Sequence, residues 1–67
     1  MIMMCRGNLV KFTTTSFCYY LGRYGTMEAV LDSGVIGILL NDNQTGMEIL
    51  VGTDIYVGVN PLDIEFV

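Results

Sequence analysis

Glycine recurs along this chain at the spacing of strands and turns: Gly7, Gly22, Gly25, Gly34, Gly37, Gly46, Gly52 and Gly58. The segments between them carry no clean 3.6-residue apolar stripe. They alternate with a period of two and are rich in β-branched and aromatic residues. Isolated helices shorter than about 12 residues are marginal in water. The pattern therefore predicts an all-β chain of six or seven short strands: a small, strongly bent antiparallel barrel or sandwich, SH3-like in architecture. The alternative is an α+β fold with one short helix over Thr26–Leu31, where Met27, Val30 and Leu31 also fit a helical stripe.

The strands read as follows. Leu9–Phe12 is the first, and Phe17–Leu21 the second, after Thr13-Thr14-Thr15. In the second strand, Phe17, Tyr19 and Leu21 are expected in the core and Tyr20 on the outer face. Gly22–Gly25 is a turn. Thr26–Asp32 places Met27, Ala29 and Leu31 on one side and Glu28, Val30 and Asp32 on the other. Asp32-Ser33-Gly34 signals a tight hairpin. Val35–Leu40 is apolar on both faces and is the candidate central strand. Asn41–Gly46 is the strongest turn. Met47–Val51 and Ile55–Val59 flank Gly52-Thr53-Asp54. Asn60-Pro61 ends pairing, because proline has no N–H to give. In the tail, Leu62, Ile64 and Phe66 are expected inward, with Asp63 and Glu65 outward.

Length sets the next constraint. The chain has 67 residues, which is one domain, near the lower size limit for independent stability. Its residues are 52% hydrophobic, more than so small a body hides well. Exposed apolar patches mark association, so a homo-oligomer, or a chain bound to a partner, is expected. The formal net charge is −4. The cations Arg6, Lys11 and Arg23 all lie within the first 23 residues, so nucleic acid, which calls for a basic footprint, is disfavoured. The acidic remainder suits a protein partner with a basic surface.

Catalysis and metal binding find few components. There is no histidine, the commonest general base. Cys5 and Cys18 alone do not close a zinc tetrahedron; they are expected as unpaired thiols, Cys18 buried. No cofactor, no metal and no catalytic residue are expected. The apolar start is cut short by Arg6, Gly7 and Asn8 before a signal-peptide core forms, and no apolar run approaches a spanning helix. The chain reads as cytoplasmic and unattached to membrane. Asn43-Gln44-Thr45 then reads as turn chemistry. Asn41, Asn43, Thr45 and Gly46 faintly resemble half a calcium loop, but Gly52 stands where its closing glutamate would fall.

Gly46, Ile49, Gly52, Asp54 and Ile55 fall at spacings similar to a stretch of the bacterial carbon storage regulators, small RNA-binding dimers. The resemblance covers only this stretch, at the opposite end of the chain. Around it lie Glu48, Asp54, Asp63 and Glu65 where the family relies on basic residues. Strand alternation alone accounts for the pattern, and the segment reads as a hairpin.

The most unusual segment is Phe17–Gly25, with four aromatic residues, one arginine and two glycines. Aromatics with arginine make interface hot spots and stacking platforms. Tyr20, Arg23 and Tyr24, with Lys11, are the candidate binding residues. The expected function is that of a small, acidic, non-catalytic, self-associating binding protein that acts by protein–protein interaction, of the inhibitor or adaptor kind that phages and mobile elements encode. The alternatives are an oligomer that binds a nucleotide or metabolite between subunits, and a small nucleic-acid-binding barrel limited to Arg6–Arg23.

Overall fold

The computed structural model describes residues 8–43 and 46–67, which form one antiparallel sheet of seven strands. They are β1 (Leu9–Phe12), β2 (Ser16–Gly22), β3 (Gly25–Leu31), β4 (Ile36–Asn43), β5 (Gly46–Val51), β6 (Asp54–Val59) and β7 (Ile64–Phe66). Their order across the sheet is β3-β2-β6-β5-β4-β1-β7. The all-β reading holds, and Thr26–Leu31 is strand rather than helix. β3 and β7 form the two edges and do not pair with each other, so the sheet is not closed into a barrel.

The sheet nevertheless curls around one core. Val10, Phe12, Cys18, Leu31, Leu39, Met47, Ile49 and Val59 are buried together, although they come from strands at both ends of the sheet. Two glycine sites let the strands approach closely enough to bend. At Gly37 a Cβ would stand 2.6 Å from Ile49 Cγ2 and 2.7 Å from the Leu50 carbonyl oxygen. Gly46 and Gly58, at the two outer ends of the β5/β6 hairpin, touch each other: a Cβ on Gly46 would lie 2.6 Å from the Gly58 Cα. The β5–β6 register shifts between Met47 and Ile49, beside Gly58 at φ 70°. This is the left-handed conformation that glycine supplies at a bulge.

Several expectations need correction. Asp32–Gly34 does form a turn, with the Val35 N–H donating to the Asp32 carbonyl at 3.3 Å, but it does not join a hairpin. β3 lies at one edge, while β4 pairs with β5 and β1. The turn hands the chain across the core: the Gly34 N–H donates to the Phe12 carbonyl (2.7 Å), and the Phe12 N–H to that of Val35 (2.8 Å). The apolar Val35–Leu40 run falls in β4, an internal strand that starts at Ile36 and continues through Asn41–Asn43, which the sequence reading gave to a turn, while β5 holds the centre of the order. Leu62 is exposed rather than inward. Pro61–Asp63 winds into a 3-10 turn, capped by Asn60 Oδ1, which accepts from the Leu62 N–H at 3.0 Å. That turn takes Leu62 out of the alternation that Ile64 and Phe66 keep.

The largest correction concerns β2. Ser16 and Cys18 are buried and Tyr20 is half-buried, whereas Phe17, Tyr19 and Leu21 are exposed by 77%, 48% and 44%. The strand faces the other way from the one its bulk suggests. Phe12, Leu39, Met47 and Ile49 are fully buried in the same cluster that Cys18 joins. With those large side chains filling the interior, small residues fit at the inner positions of β2.

Candidate functional site

β2 and β3 form a hairpin arm in unbroken register, from Ser16 opposite Leu31 to Gly22 opposite Gly25. Only its base reaches the core, at Ser16, Cys18, Ala29 and Leu31. Beyond Leu31, β3 has no buried residue, and Met27 (67%) and Val30 (53%) stand in solvent. Residues directly opposite in an antiparallel pair share a face. Phe17 with Val30, Tyr19 with Glu28 and Leu21 with Thr26 therefore make up the outer face of the arm. A half-open depression of about 510 Å³ crosses it, lined by Phe17, Cys18, Tyr19, Glu28, Ala29 and Val30.

The apolar surface continues past the arm. Leu21 opposes Ile55, Ile55 opposes Leu50, Leu50 opposes Ile38, and Ile38 opposes Leu9. One row of aliphatic side chains thus crosses the outer face of five strands. Ile55, Leu50 and Ile38 are half-buried and Leu21 and Leu9, at the two ends, are exposed; fully burying such a side chain is worth about 1.5–3 kcal/mol, so part of that stabilisation is left unused in a lone chain.

The four residues singled out by sequence do not form one cluster. Tyr20 lies on the inner face. Its ring meets that of Tyr56 at 5.8 Å and 54°, and its hydroxyl donates a long hydrogen bond, 3.5 Å, to Asp54 Oδ1. It supports the arm rather than covering its outside. Arg23 and Tyr24 sit at the exposed tip, Tyr24 with 97% of its surface free. Lys11 is four strands away from β2 on β1, directly opposite Glu65 of β7. Arg6 and Cys5 lie outside the described residues. Phe17 and Tyr19, which sequence reasoning assigned to the core, stand exposed on the outer face of the arm; the signal was present in their number, since β2 carries more bulky side chains than one face can hide.

Two groups titrate away from their ordinary values. Burial pushes the Cys18 thiol up, which keeps this free cysteine protonated and unreactive. Burial also raises Tyr56, with smaller contributions from Asp54, Cys18 and Tyr20. Both shifts follow from the interior they line. Among the described residues no three metal-ligand side chains gather, and no helix is long and apolar enough to cross a membrane. The chain matches no protein-family model, no curated protein and no solved structure.

Proposed function

We propose that the chain is a non-catalytic, self-associating protein-binding module whose contact surface is the outer face of the β2/β3 arm. The observation that carries this reading is the facing of β2. A one-residue slip would turn Phe17, Tyr19 and Leu21 inward, yet the fold keeps them outside, beside an exposed Val30. A patch of this kind on a small body is an association surface. Its chemistry suits a protein partner: aromatic rings for packing, Glu28 for a cation, and an acidic chain to draw a basic surface towards it. An inhibitor or adaptor works by contacts of this sort. The nucleotide-binding and nucleic-acid readings draw less support, because Arg23 and Lys11 stand far apart on the sheet and Lys11 faces an acid.

Light scattering at micromolar concentration tests self-association. The expected mass is a multiple of 7.4 kDa, and a monomer mass with a cooperative melt overturns it. Titration with a lysine-rich peptide, followed by tyrosine fluorescence, tests the preference for a basic partner. Binding should be lost with Phe17→Ser while the melt is retained. Equal binding by Phe17→Ser moves the site elsewhere.

A further inference from the structure

We infer that β3 pairs antiparallel with β3 of a second copy, centred on Met27, with Tyr24 of each chain seated against the β2/β3 depression of the other. This rests on the self-association proposed above and names its surface. β3 offers seven residues without bulge, proline or lysine. These are the features that ordinarily blunt an edge. Among the described residues its second side has no strand partner.

The strand is complementary to itself. A two-fold axis perpendicular to the sheet keeps outer residues on the outer face, so only registers centred on a single residue are allowed. Centring on Glu28 sets two carboxylates directly opposite, which is destabilising. Centring on Met27 pairs Thr26 with Glu28 of the second copy, and Gly25 with its Ala29, so small residues meet where the backbones close. It also brings Tyr24, almost wholly exposed, alongside Val30 of the second copy. Val30 lines the depression together with Phe17 and Tyr19. A free ring and an open hollow are thus supplied twice by one symmetry operation. Phe17, Tyr24, Met27 and Val30 present roughly 600 Å² of surface on each chain, taking aromatic side chains at 150–250 Å². With the strand backbone added, this approaches the ~800 Å² per partner of a standard interface.

A charge swap at the centre provides the test. Met27 is largely exposed, so Met27→Lys and Met27→Glu should each keep the fold of the single chain. Each alone should give a monomer, because like charges then face each other across the axis. Mixing the two should restore the dimer mass as a heterodimer, which misfolded variants could not do. In the wild-type dimer those of the Thr26–Val30 amides that face away from β2 should exchange at least tenfold more slowly than in Met27→Lys. Leu9→Lys, on the outer row away from β3, should remain dimeric. A wild-type monomer would sink self-association itself. A wild-type dimer in which Met27→Lys stays dimeric while Leu9→Lys dissociates would place the contact on the outer face and overturn the edge pairing.

Discussion

Among the described residues, β3 and β7 each leave one side of the backbone unpaired, but β3 offers seven residues in continuous register and β7 offers three. β7 is led in by the Pro61–Asp63 turn and carries Glu65 outward, opposite Lys11. It is also fastened. The Thr13 N–H donates to the Asp63 carbonyl at 2.8 Å, and the Val67 N–H to that of Leu9 at 3.2 Å. Its Ile64 and Phe66 pack on the core, while β3 reaches the core only at Leu31 and Ala29. One end of the sheet is finished by local chemistry and the other is left apolar and straight.

The contrast can be broken most directly with two phenylalanines. Phe12 is fully buried and Phe17 is 77% exposed. Phe12→Ala should cost about 3–5 kcal/mol in a urea melt, whereas Phe17→Ala should stay within about 0.5 kcal/mol at concentrations where the chains are single. Equal losses would show that the arm is not the separate region described. Gly37→Ala should come next, at about 1–3 kcal/mol, because the Leu50 carbonyl that the new methyl meets belongs to a paired strand and cannot step aside cheaply. A neutral result would mean that the curled end yields as readily as the arm.

Ser16 sharpens the comparison at the arm's base. Its hydroxyl is buried with no hydrogen-bond partner among the described residues, so it keeps a desolvation cost without return. Ser16→Ala should therefore be stabilising by about 1 kcal/mol, within the range for an unsatisfied hydroxyl. A loss of similar size would reveal a partner for the hydroxyl. The smallest effect is on pH dependence. Folded-state values for Cys18 and Tyr56 are raised above those of the unfolded chain. Their contribution is complete below the unfolded values and is lost as pH rises through the folded ones, so the melting temperature should fall from about pH 9 upward. Cys18→Ala and Tyr56→Phe should each flatten that slope; an unchanged slope in both would assign it to other groups.

Much of the fold was legible because strands and turns are written locally. The bounds of β1 match the sequence reading, and those of β2, β5 and β6 differ by a residue at either end or at one. Asn60-Pro61 ended pairing as its chemistry requires. Alternation also separated Tyr19 from Tyr20, but it identifies only which residues share a face, not which face turns inward. That choice was made by Phe12, Leu39, Met47 and Ile49, which come from other strands and occupy the interior. Asp32–Gly34 was misread for a related reason: the same turn chemistry serves a hairpin and a crossover, and pairing with β1 decides between them. Of the candidate residues, Arg23 and Tyr24 did emerge at an exposed tip. The exposure of Phe17 and Tyr19 was missed because their hydrophobicity assigned them to a core that had no room for them.

The unlike edges carry a consequence for stoichiometry. A sheet with two open edges can add copies indefinitely and grow into a filament. If β3 pairs with a second copy as inferred above, that pairing uses up the longer of the two edges left open among the described residues. Each end of the joined sheet is then a three-residue β7 with its charge turned outward, a poor template for further addition. On that inference, growth by strand addition would stop at two chains, and raising the concentration would fill that state without extending it. On the same inference, the short, fastened β7 would act as the stop that keeps an uncovered β3 compatible with a finite assembly.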